Sequence, residues 1–555
     1  MAFQALRARR DARQRDWRRR STEAPTHACQ AIPGTSLEVE VTTLAGRGLR
    51  LSPQAAPCQP GDTLAEFPTS VSVLATSQVP HRCHFCFSKP DHALVRCSRC
   101  HFARYCGAQC QAAAWTDYRH RDECHALRRW FRTAEHPDTL PDLAREPGPS
   151  VRALAQLLWR RQRQDAAWWQ PHARMISHRT TLDAASQEEA ASIAYRLAQF
   201  LGSEGTLRAL GIEHADALLE LVCQHRANGF TLSDPHLDPI GVCIQPTAAL
   251  LNHACEPNAV VVFPEAKPGH RCRMHILALQ PIQPGDAVLT SYVDVATPHA
   301  ERQRILRERY HFTCRCALCT RHDSWIDPRT ALWCPHTGCV GWVSPTAPSA
   351  CRQCHRVPGA MDVQATLAQA QEAALHVEKA MASNDLHTIP SYVAISLPGL
   401  SAIAPPSHHL MWTLLHAAQV VAIEKEAWDE AISYALLLCA GMQARGARDA
   451  RSCLYIPGHP QRAVLLATLG RLLAQSTSDT PPTASAWLAR PPPIPPSAQA
   501  RREMAWAILQ QAQHEALVGF GRATQGGTVG HLVRATLHVL SQEQEAARTM
   551  CQPTS

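Results

Sequence analysis

Two kinds of hydrophobic spacing divide the 555-residue chain. Residues 37–51, LEVEVTTLAGRGLRL, alternate apolar and polar positions, which is the period of a half-buried strand, and Gly46 and Gly48 break the run. PGDTL at 60–64 reads as a turn. From 151 to 225 apolar residues recur every three or four positions, as in VRALAQLLWRR and IAYRLAQFLG, and predict amphipathic helices. Strand and turn signals return at 228–295, with AVVVF and PGDAVLTSYV. From 362 onward the pattern is helical again. WTLLHAAQVVAIEKEAWDEAISYALLLCAGMQA predicts paired antiparallel helices of the helical-repeat kind, without a strict period. The Pro-rich stretch 477–499 predicts an extended loop that interrupts these helices.

This length allows several domains, and a hydrophobic share of 45% is ordinary for globular proteins. No apolar run reaches the length of a bilayer span and no secretory signal is visible, so the expectation is a soluble intracellular protein without membrane contact. The net charge of +8 is concentrated at one end: residues 1–20 hold eight Arg against Asp11 and Asp16. Such a tail, taken here as 1–35, reads as a solvated disordered arm. It can carry nuclear import or a nucleic-acid contact, and the two acids count against a mitochondrial presequence. Nuclear and cytoplasmic residence is the expectation. Only four basic residues are Lys (Lys89, Lys267, Lys379, Lys425).

Cysteines change the picture most. There are 23, an odd number, grouped at Cys-x2-Cys spacing, which in an intracellular protein argues for zinc and against a disulfide framework. The densest group is Cys83-x2-Cys86-x10-Cys97-x2-Cys100-x5-Cys106-x3-Cys110-x9-His120-x3-Cys124. Eight soft ligands suffice for two tetrahedral sites, which would brace a segment too short to build its own core. The bland alternative is a set of free or buried thiols. His92, His101 and His125 nearby read as surface residues.

YCGAQCQAAAW followed by His120 and Cys124 resembles a MYND zinc finger, here 81–125. The resemblance implies one ion on Cys83, Cys86, Cys106 and Cys110 and another on Cys97, Cys100, His120 and Cys124. It also implies a module that takes Pro-containing peptides, with no sequence-specific nucleic acid expected. In the family the His usually follows the Trp after two residues. Here His120 follows Trp115 after four, with Tyr118 in the usual place, so His120 is the least secure ligand.

LLNHACEPNA at 250–259 poses a separate question. Cys255 beside His253 is open to three readings: a nucleophile with its base, a metal ligand, or a buried thiol. No oxyanion loop or nucleophile elbow surrounds the pair. Downstream, Cys314-x-Cys316-x2-Cys319 is one ligand short of a closed tetrahedral site, and Cys255 is the natural fourth.

This constellation resembles a SET domain, through NHACEPN, GDAVLTSYVD, CRCALC and GRGL at 46–49. Together with the finger, most of 36–475 is similar to the SET-and-MYND (SMYD-type) protein lysine methyltransferases, including YIPGHPQRAVLLATLGRLL in the region of their helical C-terminal domain. The fold implied is α+β and multidomain. A β-rich SET core (36–80 and 227–300) is split by the MYND finger and a helical insert at 126–226. A zinc-bound post-SET region covers 301–320, and an all-α, helical-repeat-like C-terminal domain covers 362–550.

The function implied is S-adenosylmethionine-dependent methylation of protein lysine, histone or non-histone, with a protein bearing an accessible lysine as partner. Gly46, Arg47 and Gly48 would approach the cofactor, as glycine backbone permits. Asn228 would meet its amino-acid end, Leu251, Asn252 and His253 its adenosyl part, and His178 its adenine end. Tyr310 and Phe312 would form an aromatic wall, Tyr292 would orient the amine, and Cys255 would be the fourth zinc ligand. Methyl transfer from a sulfonium needs an in-line, neutral amine, and an apolar aromatic channel beside a positive charge favours the neutral form. Ala254 stands for the motif's Ser, Ala249 for another small polar residue and Arg47 for Asn. These departures keep open an inactive or weak SET and MYND interaction scaffold in transcriptional regulation. The Cys–His hydrolase stays as a third reading.

Cys334-x4-Cys339-x11-Cys351-x2-Cys354, within 331–356, has zinc-ribbon spacing. Trp333, Gly341 and Trp342 are placed to cap it, and a loop with reduced thiols is the alternative. Cys29, Cys58, Cys223, Cys243, Cys272, Cys439, Cys453 and Cys551 show no pattern and read as buried or incidental.

Overall fold

The computed structural model describes residues 30–42, 46–117, 120–133, 146–321, 325–345, 350–359, 363–383, 385–443, 454–476 and 487–550. They fall into two compact units. One lies within Met1–Gln59, Thr63–Thr290 and Gln303–Cys314, the other within Pro60–Asp62, Ser291–Arg302 and Arg315–Ser555.

The first unit opens with an antiparallel sheet of β1 (Gln30–Ala31), β2 (Leu37–Thr42) and β3 (Gly46–Leu51), in that order. Leu37 faces Leu51 and Glu40 faces Gly48 across the β2–β3 pair. The run is thus divided into two strands, with Gly46 opening β3 at φ +66° and Gly48 inside it. β1 corrects the tail boundary set at 35. A turn at Pro33–Gly34, with Gly34 at φ +73°, returns the chain so that Gln30 pairs with Val39. Only 1–29 of the tail lies outside the described residues.

β4 (Thr63–Pro68) follows the 60–64 turn, where Gly61 has φ +91°, and β5 (Val71–Leu74) follows β4. The finger contributes β6 (Val95–Arg96), β7 (Arg104–Tyr105), α1 (Ala108–Thr116) and the start of α2 (His120–Thr133). The helical insert then supplies α3 (Pro149–Arg161), α4 (Ala166–Ala173), α5 (Ala184–Leu201), α6 (Glu204–Ala209) and α7 (Ala215–Asn228). Asp165 caps α4 by accepting from Trp168 N at 2.8 Å, and Asp183 caps α5 by accepting from Ser186 N at 2.7 Å, each satisfying an N-terminal donor.

α3 carries most of the packing. It is buried from Val151 to Trp159 and lies against α5, α7 and β5. β5 is accordingly buried at all four positions, unlike an alternating surface strand. Arg152, fully buried in α3, donates to the carbonyls of Leu74 and Pro147 and sits 5.1 Å over the Phe102 ring. One apolar core runs through the strands, the finger (Phe85, Tyr105) and the insert (Leu154, Phe200).

Strands return as β8 (Phe230–Ser233), β9 (Pro239–Ile244), β10 (Asn252–His253), β11 (Ala259–Val262), β12 (Arg273–Ala278) and β13 (Leu289–Thr290). They complete the sheets β5-β9-β8 and β11-β12-β4, and β10 pairs with β13 in parallel. Of the strand expected in PGDAVLTSYV only the two residues of β13 are formed. α8 (His299–Tyr310) follows.

Among the described residues the second unit contains the hairpin β14 (Leu332–Trp333) and β15 (Trp342–Val343) and then helices only: α9 (Gln364–Ser383), α10 (Ile389–Ile403), α11 (His409–Glu424), α12 (Trp428–Gln443), α13 (Pro460–Gln475), α14 (Ala498–Gly519) and α15 (Gly527–Met550). Successive helices pack pairwise. α13 and α14 approach closely at Gly470, where a Cβ would meet Leu509 Cγ at 2.6 Å. Beside them Arg462 forms a buried ion pair with Glu515, Nη2 to Oε1 2.7 Å. The Pro-rich loop ends at 497, since Ser497 caps α14; its first part, 477–486, lies outside the described residues. Among the described residues no helix is long and apolar enough to cross a membrane.

Candidate cofactor pocket and metal centres

The NHACEPN segment is held by its last residue. Asn258 is buried and uses its whole side chain: Oδ1 accepts from Leu289 N at 2.8 Å and Nδ2 donates to Ala287 O at 2.8 Å. Its own carbonyl accepts from Leu279 N at 2.8 Å. Asn258 thus clamps β12 and β13 to one point, a role that sequence reasoning missed. The clamp fixes β13, and Ala254 N donates to Thr290 O at 2.9 Å. Ala254 itself is buried.

This arrangement carries β10 against β3. Asn252 Nδ2 donates to Arg47 O at 3.4 Å, and a Cβ at Gly48 would lie 2.6 Å from that nitrogen. Any side chain at 48 would have to displace the Asn252 amide. Gly46 has φ +66° and nothing within 4 Å of a built Cβ, so the start of β3 is an open backbone edge. Arg47 points its guanidinium elsewhere, to Arg174 O at 2.5 Å. Across β2, Glu40 is buried, and burial raises its carboxyl above the ordinary range against the pull of Arg50.

Leu251 and His253 are buried, and the His253 ring is 5.9 Å from Phe312. Tyr310 is half-buried, and desolvation pushes its phenol above the usual value, opposed by Arg309. His178, at φ +51°, lies 4.7 Å from the His311 ring; burial, then His311, lowers its pKa. Asn228 closes α7, and its Nδ2 donates to Ile176 O at 2.7 Å and Gln224 O at 2.8 Å, leaving Oδ1 as its remaining acceptor. Tyr292, in the second unit, is half-buried two residues beyond β13.

The finger's ligands form two groups, Cys83, Cys86, Cys106 and Cys110, and Cys97, Cys100, His120 and Cys124, each with donor atoms within 4.8 Å of one another. Sulfurs at 2.3 Å from a common zinc in a tetrahedron are about 3.8 Å apart. Cys86 and Cys106 are 3.8 Å apart and Cys97 and Cys124 are 3.9 Å apart. The lengthened spacing after Trp115 leaves His120 Nε2 3.5 Å from Cys100 Sγ. His92, His101 and His125 are exposed, as expected.

Two further residues of the finger escaped sequence reasoning. Glu123, buried, accepts from His120 Nδ1 at 3.1 Å, and His84 Nε2 lies 3.4 Å away. Gln156 of α3 donates to its other oxygen at 3.2 Å. A carboxylate on the far nitrogen of a ligating imidazole fixes the tautomer that leaves Nε2 free for metal. The spacing His120, Glu123 on one helix was the available signal. Gly269 N also donates to Cys110 Sγ at 3.0 Å.

Cys255 is buried, with His253 Nε2 at 3.2 Å and Cys314 Sγ at 4.0 Å. Cys314 is bracketed by Gln303, which donates to its carbonyl at 2.8 Å and accepts from its N–H at 3.0 Å. Cys316 and Cys319 come next along the chain, in the second unit. A buried sulfur beside a second sulfur is poorly placed to attack a substrate, whereas it suits metal. Cys223, Cys243, Cys272 and Cys439 are buried free thiols; Cys29, Cys453 and Cys551 lie outside the described residues.

The MYND finger family matches residues 83–124. The chain is 31% identical over 288 residues to N-lysine methyltransferase SMYD2 of Homo sapiens and to that of Bos taurus, covering 50% of this chain and 59% of each relative. It is 30% identical over 291 residues to N-lysine methyltransferase SMYD2-B of Danio rerio, 52% of this chain and 61% of the relative. The chain thus spans about three fifths of the length of these curated relatives.

Proposed function

We propose that the chain is an SMYD-type protein, on its similarity to N-lysine methyltransferases of that kind and its MYND finger, and that it methylates lysine side chains of proteins using S-adenosylmethionine. The observation that carries the reading is the close approach of Gly48 to Asn252, beside the open edge at Gly46. It is a cradle that any Cβ at 48 would fill, and it joins two separate motifs of the sequence.

In this reading the Gly46–Gly48 backbone, with the Arg47 carbonyl, and Leu251, Asn252 and His253 hold the cofactor. Asn228 offers Oδ1 to its ammonium, and His178 serves its adenine end. Tyr310 and Phe312 exclude water, and the Tyr292 hydroxyl orients the incoming amine. When bound, S-adenosylmethionine supplies an activated methyl group on a positive sulfonium. The apolar and aromatic lining disfavours a charged lysine, so the amine arrives with its lone pair free. The finger's two ligand groups fit zinc, and Cys255 with Cys314, Cys316 and Cys319 would hold a third ion that fixes Cys255 and the residues before it. Protein partners, including Pro-containing peptides at the finger, and residence in nucleus and cytoplasm belong to the same proposal.

One observation favours a second reading, an interaction scaffold with a weak or inactive core. Arg47 is tied to Arg174 O, and Ala254 offers no hydroxyl. One experiment separates the two. Zinc-loaded protein is incubated with radiolabelled S-adenosylmethionine and a cell extract, beside Tyr292→Phe. Label on protein bands, lost or greatly reduced in the variant, supports the enzyme. No label together with no cofactor binding by calorimetry sinks it and leaves the scaffold.

A further inference from the structure

We propose that Cys334, Cys339, Cys351 and Cys354 bind a zinc ion of their own, separate from those of the finger and of Cys255. The four sulfurs lie within 4.8 Å of one another. Cys334 to Cys354 and Cys339 to Cys351 are both 3.7 Å, the edge of a zinc–thiolate tetrahedron, about 3.8 Å, and far from the roughly 2.05 Å of a disulfide.

The backbone repeats a device used in the finger. At Cys83-x2-Cys86 the N–H of Phe87 donates to Cys83 O at 3.0 Å, Cys83 N donates to Ser88 O at 2.9 Å, and Phe87 has φ +65°. At Cys97-x2-Cys100, His101 donates to Cys97 O at 2.9 Å with φ +56°. At Cys351-x2-Cys354, His355 donates to Cys351 O at 2.8 Å, Cys351 N donates to Arg356 O at 2.9 Å, and His355 has φ +57°. A left-handed non-glycine residue is uncommon, so three copies of one turn, each just after a Cys-x2-Cys pair, mark one structural task. That task is to bring two sulfurs onto one ion.

The surroundings are built for the same purpose. A Cβ at Gly341 would lie 2.5 Å from Cys351 Sγ, so only glycine leaves room for that sulfur. Gly341 N faces Cys339 Sγ at 3.4 Å, and His336 Nδ1 faces Cys334 Sγ at 3.2 Å; both suit thiolates, whose charge such donors stabilise. The apolar residues buried at this hairpin are few: Ala331, Leu332, Trp342 and Val343, with Ile326 and Trp333 partly buried. So small a core around a two-residue hairpin gains much from a metal staple. Four thiolates select zinc over magnesium or calcium.

The test uses the full chain expressed with zinc. Metal content should be four equivalents of zinc per chain, three in Cys351→Ser and four in Cys272→Ser, which removes a buried cysteine outside the four ligand groups. Alkylation with mass mapping gives a second readout on the unaltered chain, independent of whether Cys351→Ser folds. The four thiols of 334–354 should resist the reagent in loaded protein and become reactive together when a chelator is added. Three equivalents in the wild type, or free alkylation of these thiols in loaded protein, overturns the site. Iron with visible charge-transfer absorption at these residues overturns zinc as its metal.

Discussion

Single residues decide the candidate pocket, and two are open to direct tests. At Gly48 a methyl group has no room beside Asn252 Nδ2. Gly48→Ala should lower cofactor affinity at least about tenfold by calorimetry, and overpacking of this kind costs on the order of 1–3 kcal/mol in denaturant unfolding. Glu123→Gln removes the carboxylate that faces both His120 and His84. Changes of this kind weaken metal binding by about 10–100-fold. Competition with a chromophoric chelator should therefore show one weakened zinc, with the ion on Cys83, Cys86, Cys106 and Cys110 retained. The cysteine spacing made the clusters of candidate ligands legible in the sequence. Asn258 and His84 were not, because their partners are distant along the chain, and for Glu123 the i,i+3 spacing to His120 was the only signal, its burial being hidden.

Elements show the same division. The helices of the insert and of the second unit follow their apolar stripes closely, since a stripe at 3.6-residue period has only one way to be buried. The strands follow less well: β3 starts at Gly46 and runs through Gly48, and β13 has two residues. β13 exists through Asn258 and not through its own alternation. Asn258→Ala strands the buried Leu289 N–H and Ala287 carbonyl. An unsatisfied buried polar group costs about 1–3 kcal/mol, and urea unfolding of the variant should show a loss of at least that size. A wild-type midpoint in urea would show that β13 is held by something else.

Across the molecule, pH bears on the helical unit. Burial pushes His408 and His459 down to about 3 and His409 to about 4. The unfolded chain takes up these protons near pH 6.5 and the folded chain does not, so stability is full above 6.5 and falls as pH drops toward 4. Each histidine contributes up to about 1.4 kcal/mol per pH unit in that window. Thermal melts between pH 7 and 5 should shift downward; a flat profile would remove these histidines as the cause. The buried Arg462–Glu515 pair predicts a second outcome. Glu515→Ala leaves a buried guanidinium without its carboxylate and should cost about 3–5 kcal/mol, while Arg462→Met with Glu515→Leu should cost far less.

By itself the sequence determined the helical and strand-rich regions and the cysteine clusters with their spacing. These rest on periodicity and on spacing along the chain, which are local or nearly so. Only the tertiary structure decided which residues support them: Asn258 under β13, Glu123 behind His120, Gly341 beside Cys351, and the approach of Gly48 to Asn252. The physical reason is that close packing and buried hydrogen bonds join positions far apart in the chain. The cost of a Cβ or of an unpaired polar atom appears only once those positions meet.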